Sequence, residues 1–312
     1  MSYLREPSPL APAMTAPITR RTLQAPIGAA GRGLHSGAEV NLRLVPAAAE
    51  TGIVFHRTDL DVKIPARYDA VADTRLCTLI AQGQARVGTI EHLMAALSAA
   101  GIDDLVVEVD APELPVFDGS AAPFLFLIES AGIALQAGRR PQVQVLRPVR
   151  VEHEGAFAEL RPHQPGGQGF DISLSIAFSA AAIGAQAYHF QLSAAGFADE
   201  IATARTFAMA GEIEALRQAG LARGGSLANA VVVDGARILN PEGLRFNDEF
   251  VRHKLLDVIG DLALAGAPIW GRFLGNRTGH ALNNRLLRTL FADQANYRLA
   301  APAAREPERS AA

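Results

Sequence analysis

The segment Asp248–Leu262 constrains this chain more than any other. Phe250, Leu255, Ile259 and Leu262 supply apolar positions at helical spacing, so the segment reads as an amphipathic helix. At about 100° per residue, His253, Lys254, Asp257 and Asp261 fall within about 100° of arc. A polar stripe on a helix is most often its wet face. The content of this stripe points elsewhere. A neutral imidazole and a carboxylate four residues apart can hold one metal ion from one helix face. Lys254 also stands out, because it and Lys63 are the only lysines among 29 basic residues. A compact ammonium sits beside a candidate metal ligand in a chain that elsewhere uses arginine.

With 312 residues, the chain has room for one large domain or two of ordinary size. A hydrophobic content of 49% against 20% charged is ample for a packed core. The net charge of -3 and the lack of a Lys/Arg-rich run argue against a nucleic-acid binder that works by neutralising phosphates. Cys77 is the single cysteine, so no intrachain disulfide forms, and this usage fits a reducing, cytoplasmic setting. No apolar run reaches about 18 residues, which argues against a transmembrane segment. Residues 1–17 lack the apolar core of a signal peptide and read as a disordered lead, with Met14 an alternative start. Residues 302–312 read as a flexible tail.

Strand patterns cover Glu39–Val45, Gly52–His56, Leu105–Asp110, Gln142–Val151, Phe170–Phe178, Ala230–Val233 and Pro268–Leu274. Helical patterns cover Thr89–Ala100, Ala122–Ser130, Ala198–Ala202, Met209–Ala219, Glu249–Ala265 and His280–Asp293. The cleanest internal boundary is Gln136–Pro141, which follows a helix and precedes a Val-rich strand pattern. Strand clusters mixed with paired helices predict an α+β architecture rather than regular βαβ alternation. No short-period repeat is visible.

His56, His153, His163 and His189 sit in strand or loop contexts without an obvious partner and read as structural or solvated imidazoles. His92 differs. It lies in a helix start, Gly88–Leu97, where Thr89 can cap and the Glu91–His92 pair interrupts an apolar pattern. Adjacent helical residues diverge by about 100°, so the two would flank an ion rather than bind it together. The plain alternative is a helix-start charge cluster. Joined to His253 and Asp257, His92 would complete two imidazoles and one carboxylate. That set suits Zn²⁺ with a fourth position left for water, which is a catalytic rather than a structural site. His280 follows the Thr278–Gly279 turn at another helix start. There it could give a proton or a hydrogen bond to developing negative charge, or simply be structural. Gly31–Gly37 lacks the spacing of a dinucleotide loop or P-loop and reads as a tight turn. Arg223–Ser226 permits close backbone approach.

Six segments together resemble, in the same order, the UDP-3-O-acyl-N-acetylglucosamine deacetylase family, zinc enzymes of early lipid A biosynthesis. They are Gly33–Gly37, Thr89–Leu97, Pro112–Phe124, Ala204–Phe207, Asp248–Leu262 and Gly279–Asn284, and the resemblance spans roughly residues 18–298. It implies two similar β-α-α-β domains, with helix pairs sandwiched between two sheets and the zinc site at the domain interface. The domains would cover residues 18–138 and 142–300, the second carrying an acyl-passage insert. The implied reaction is hydrolysis of the N-acetyl group of UDP-3-O-(3-hydroxyacyl)-N-acetylglucosamine, giving the free amine and acetate.

The same resemblance implies roles for single residues. His92, His253 and Asp257 match the zinc ligands, and Glu91 matches the general base. Thr206 matches a hydroxyl that polarises the substrate carbonyl. His280, held by Asp261, would stabilise the oxyanion, worth about 3–4 kcal/mol of barrier. Either His280 or Glu91 would protonate the leaving amine. Lys254 and Arg277 would meet sugar hydroxyls or the diphosphate. Phe207, Ile213, Leu216, Ala230 and Val232 would line the acyl passage, ordinary core packing being the other reading. Phe178 would stack on uracil, and Cys77 would be a thiol lining the site. Departures from the family pattern are Arg32 for a small apolar residue, Ser179–Ala180 for His-Pro, and Thr278 for Ser. The expected partner is the acylated UDP-sugar alone, with no nucleic acid, on a monomer. Two alternatives stand beside this reading: a non-catalytic binder or sensor of the acylated sugar nucleotide, and a zinc hydrolase for another amide.

Overall fold

The computed structural model describes residues 19–300, so the expected lead at 1–17, with Met14, and the tail at 302–312 lie outside the described residues. The first half runs β1 (Thr19–Leu23), β2 (Ile27–Arg32), β3 (Glu39–Pro46), β4 (Ile53–Arg57), β5 (Val62–Pro65), β6 (Val71–Asp73), β7 (Leu79–Gln82), β8 (Ala85–Val87), α1 (Glu91–Ala100), β9 (Leu105–Val109), α2 (Ala122–Ala131) and β10 (Ile133–Arg139). The second runs β11 (Gln142–Val145), β12 (Val149–His153), β13 (Ala156–Arg161), β14 (Phe170–Ala177), β15 (Ala185–Gln191), a short α3 (Ala194–Gly196) and β16 (Phe207–Met209). It continues with α4 (Ala210–Gln218), β17 (Val231–Asp234), β18 (Arg237–Ile238), α5 (Glu249–Ala263), β19 (Ile269–Asn276), α6 (His280–Phe291) and β20 (Tyr297–Ala300).

Alternation builds the sheets. In β3, Val40, Leu42 and Leu44 are buried between exposed Glu39, Asn41 and Arg43. In β14, Phe170, Ile172, Leu174 and Ile176 point inward at every second residue. Helix ends follow their residue chemistry too. Gly101 takes a left-handed φ of 72° and caps α1 through its N–H. Pro123 opens α2, where a missing N–H costs nothing.

The two halves have the same wiring. The first sheet has the order β2-β3-β9-β4-β5. Its central β9 is antiparallel to β3 and parallel to β4. In the second half the order is β12-β13-β19-β14-β15, with β19 antiparallel to β13 and parallel to β14. Each half thus lays down two hairpins, then a helix, then the strand that joins the hairpins, then a second helix. The terminal strands also pair, β1 with β10 and β11 with β20, but β11 additionally runs parallel to β19, so the second pair extends its sheet to seven strands while the first stands apart. Each half also carries its extra elements between the second hairpin and the first helix. These are the β6-β7-β8 sheet in one half and the segment from α3 to β18 in the other.

The helices lie between the sheets. α2 packs on β2, α5 on β14 and β15, and α6 on β12 and β13. α1 packs closely on α5, and Gly260 makes this possible: a Cβ there would stand 2.0 Å from the Glu91 carbonyl oxygen. Among the described residues, no helix is long and apolar enough to cross a membrane.

Several strands lie outside the sequence patterns. The single pattern over Gln142–Val151 is two strands broken at Leu146–Pro148. The Ala198–Ala202 pattern is a π-helical turn, Phe197–Ile201. β13 hides because Glu159, on the outward face between inward Ala158 and Leu160, is also buried, under Arg150 and Arg161, and blurs the alternation. β15 pairs with β14 alone and buries only Phe190, so it carries almost no apolar signal.

Candidate metal centre and active-site cavity

Every fourth residue of α5 from its first position is ionisable or imidazole and buried: Glu249, His253, Asp257 and Asp261. A step of four residues drifts only about 40° round the helix, so the four form one inclined stripe. The stripe is dry, and each member meets a specific partner.

Asp257 divides its two oxygens. Lys254 Nζ donates to Oδ2 at 2.7 Å. Oδ1 faces His253 Nε2 at 3.5 Å and His92 Nε2 at 3.8 Å. The His253 ring is oriented from behind, because its Nδ1 lies 3.1 Å from the Ala204 carbonyl oxygen. That bond makes Nδ1 the protonated nitrogen and leaves the Nε2 lone pair toward Asp257. His92 arrives from the first turn of α1, its ring edge-on to His253 at 5.1 Å between centroids. The three donor atoms lie within 4.8 Å of one another. A tetrahedral ion with bonds of about 2.0–2.1 Å spaces its ligands by about 3.4 Å, so the set fits such an ion. Burial keeps both imidazoles neutral, as ligation requires, pushing His92 down to about 3 and His253 below its ordinary value. Burial would raise the Asp257 carboxyl, but the Lys254 ammonium, with the charged His280 ring, outweighs it and keeps it ionised.

Glu91 sits one residue before His92. Burial dominates its titration and pushes it up to about 7, against the attraction of His280. The Thr78 backbone N–H donates to its Oε2 at 3.0 Å, while Oε1 faces His280 Nε2 at 3.9 Å. Behind His280, Asp261 accepts from Nδ1 at 2.9 Å, from the Thr78 hydroxyl at 2.5 Å and from Asn283 at 2.8 Å. Burial opposes charge on the His280 ring, but Asp261 prevails and pushes it up to about 9. A carboxylate that exchanges protons near neutrality and an imidazolium that holds its own therefore face each other.

These groups surround a cavity of about 210 Å³. Glu91, His92, Thr206, Phe207, His253, Lys254, Asp257, His280 and Phe178 line it, together with Leu34, His35, Leu76 and Thr89. Thr206 is fixed through its backbone: its N–H donates to Gly119 O at 2.8 Å and its carbonyl accepts from Val231 N at 2.8 Å. Gly119 is required there. Its φ is 84°, and a Cβ would fall 2.1 Å from the Asn229 carbonyl oxygen. Phe178 packs edge-on against Phe207, which packs likewise on Phe250 and on the His253 ring.

Other sequence candidates lie outside the residues that line this cavity. Asp261 stands behind His280. Cys77 is buried, and burial with the nearby Glu91 charge pushes its thiol up to about 12. Arg277 is exposed, with a guanidinium 3.4 Å from the Glu154 carbonyl. Ile213 and Leu216 are half-buried on α4, and Ala230 and Val232 are buried.

Sequence reasoning passed over several residues. Both ring nitrogens of His35 are buried without a hydrogen-bond partner at the cavity wall. Its signal was an imidazole inside a glycine turn. Buried Glu113 holds that turn, accepting from the backbone N–H groups of His35 and Ser36 at 2.8 Å each and from the Thr89 hydroxyl at 3.0 Å. The two glycine-rich segments also meet: Arg223 N and Gly224 N donate to the carbonyls of His35 and Leu34.

A family model described as UDP-3-O-acyl N-acetylglycosamine deacetylase matches residues 20–292. A UDP-3-O-acyl-N-acetylglucosamine deacetylase of Legionella pneumophila (strain Corby) is 47% identical over 281 residues, covering 89% of this chain and 91% of its own length. One from Shewanella sp. (strain W3-18-1) is 48% identical over 287 residues, with 90% and 92% covered. One from Idiomarina loihiensis is 50% identical over 285 residues, again with 90% and 92% covered.

Proposed function

This chain belongs to the UDP-3-O-acyl-N-acetylglucosamine deacetylase family, and from that premise we propose that it hydrolyses the N-acetyl group of a UDP-3-O-acyl-N-acetylglucosamine, a step of lipid A biosynthesis. The products are the free amine and acetate. One observation carries the mechanism. Glu91 and His280 face each other across 3.9 Å beside a cluster of three metal-ligating side chains.

His92, His253 and Asp257 would hold Zn²⁺, which when bound supplies Lewis acidity and a water of lowered pKa. Glu91 takes the proton of the attacking water, a task suited to a carboxyl near 7, and either it or His280 delivers a proton to the amine nitrogen as the C–N bond breaks. Thr78 N–H keeps Oε2 turned away, so Oε1 is the accepting atom. The His280 Nε2–H donates to the oxygen that gains charge as the amide carbon becomes tetrahedral, and Asp261 keeps that proton in place. The Thr206 hydroxyl donates to the same carbonyl. Lys254 neutralises Asp257 and reaches the sugar from the cavity wall. Phe178 takes the uracil and Arg277 the diphosphate. Phe207, Ile213, Leu216, Ala230 and Val232 receive the acyl chain, and the Cys77 thiol lines the site near Glu91. The two wired halves correspond to domains of residues 18–138 and 142–300. The protein works as a cytoplasmic monomer. Pure binding of the sugar nucleotide would need no such proton-transfer pair.

The test is turnover of the acylated UDP-sugar by the zinc-loaded protein beside Glu91→Gln. The wild type should release acetate, and the variant should retain its zinc but lose about 10²–10⁴-fold in kcat. No acetate from the wild type would end the deacetylase reading. Near-normal turnover by the variant would end the role of Glu91.

A further inference from the structure

We propose that the buried Arg205–Glu249 pair is a positioning device that sets the ring of His253 and the backbone of Thr206. Arg205 and Glu249 are 2% and 0% exposed. The Arg205 backbone N–H and Nε both donate to Glu249 Oε1, at 3.0 and 2.9 Å, and one guanidinium nitrogen donates to Oε2 at 3.2 Å. The remaining donors reach Glu242 at 2.6 Å and the Gly243 carbonyl at 2.7 Å. Arg245 N–H completes Glu249 at 2.7 Å.

A buried ion pair is a poor source of stability, because desolvation offsets its attraction. Its value here is placement. Glu249 and His253 stand one turn apart on the same face of α5. Glu249 binds the N–H of Arg205, and His253 Nδ1 binds the carbonyl of Ala204. These two groups belong to one peptide bond. A single rigid plane is thus tied at both ends to successive turns of α5. The carbonyl can meet the imidazole only while the N–H stays on the carboxylate. That contact selects the Nδ1–H tautomer and turns Nε2 toward Asp257. The next residue is Thr206, whose backbone bonds to Gly119 and Val231 extend the same strap. Neither Arg205 nor Glu249 lines the cavity, so both act through other residues.

The proposal rests on the metal-site reading, and its test separates the two. Glu249→Gln keeps the side-chain shape and removes the charge; Arg205→Lys keeps the charge and removes the fork. The control is Arg20→Lys, in a part-buried ion pair of the first half, Arg20 with buried Asp104 at 2.6 Å. Imidazole nitrogen NMR on the metal-free protein reads the His253 tautomer directly. Competition with a chelator reads zinc retention, and steady-state kinetics divide kcat from KM. Either strap variant should lose the single Nδ1–H tautomer, hold zinc about 10-fold less tightly and lower kcat with KM little changed. Arg20→Lys should lower the melting temperature and change none of these. An unchanged tautomer in either folded strap variant overturns the proposal. So does an equal loss of zinc in the Arg20 control. A wild type that binds no zinc refutes the metal reading instead and leaves the tautomer comparison intact.

Discussion

Helices α1 and α5 hold equivalent places in the two halves, each leading into the central strand of its sheet, yet they bury opposite kinds of surface. After Glu91 and His92, α1 is Leu, Met, Ala and Ser, and every residue but Ser98 is buried. α5 buries Glu249, His253, Asp257 and Asp261 along its length. The polar residues of α1 stand in its first turn, where an acidic group also meets the positive end of the helix dipole. The extra elements differ in kind but not in purpose. The β6-β7-β8 segment brings Thr78 to Asp261, and the longer segment of the second half brings Ala204 to His253. Duplication thus supplies two matched shells, and the cavity proposed for the chemistry lies at their seam. One half gives Glu91 and His92; the other gives His253, Asp257, Lys254 and His280.

The sharpest way to break this comparison is to part the two helices. In an exposed helix, Gly→Ala gains about 1 kcal/mol of propensity. At Gly260 that gain is overwhelmed, because the new Cβ would lie 2.0 Å from the Glu91 carbonyl oxygen, a backbone atom that cannot swing aside. Gly260→Ala should destabilise the protein by about 1–3 kcal/mol, the usual cost of overpacking. Shifting Glu91 and His92 by about 1 Å should also lower turnover about 10²-fold. Calorimetry and the acetate assay measure the two effects. Unchanged stability and turnover would mean that this contact does not set the seam.

What the sequence exposed and what it hid follow from the range of the interactions. The α5 stripe was visible because its members lie four residues apart on one helix. His92, Glu91 and His280 stood out by their helix-start settings, but their meeting with α5 rested on the motif resemblance, since no local pattern brings α1 to α5. Thr78 stayed hidden: its partner Asp261 is 183 residues away. Glu249 carried no signal beyond opening the helical pattern, because only the fold places Arg205 against it. The duplication was invisible for a different reason. It is a repeat of pairing order, and β9 (Leu-Val-Val-Glu-Val) and β19 (Ile-Trp-Gly-Arg-Phe-Leu-Gly-Asn) fill the same place with different side chains. A sheet position asks for inward volume rather than for a residue type.

A second prediction sharpens the division of labour between the carboxylates Glu91 and Asp261. Asp261 acts on His280 alone in the proposed chemistry, by holding it protonated up to about 9. The sign is fixed: activity that needs the imidazolium is full below that value and is lost as pH rises through it. Asp261→Asn removes the charge, so the alkaline limb of the kcat profile should move toward acid. If the ring returns to 6.5, its protonated share at pH 8 falls about 30-fold. A limb that stays near pH 9 in the variant would detach Asp261 from this role.

The smallest expected effect tests whether the longer segment of the second half does more than brace the seam. Ile213 and Leu216 lie one turn apart on α4, both half-buried, and α4 packs on β16 and β17. If they meet the acyl chain, Leu216→Ala removes contact only for chains long enough to reach α4. Each lost methylene contact is worth about 0.8 kcal/mol, or about fourfold in kcat/KM. The variant should therefore lose several-fold on a long-chain substrate and nothing on a short one, with its melting temperature little changed because the side chain is not fully buried. An equal loss at every chain length would make Leu216 a packing residue. The second-half segment would then serve the site only through Ala204, Thr206 and Phe207, much as the first-half segment serves it through Thr78.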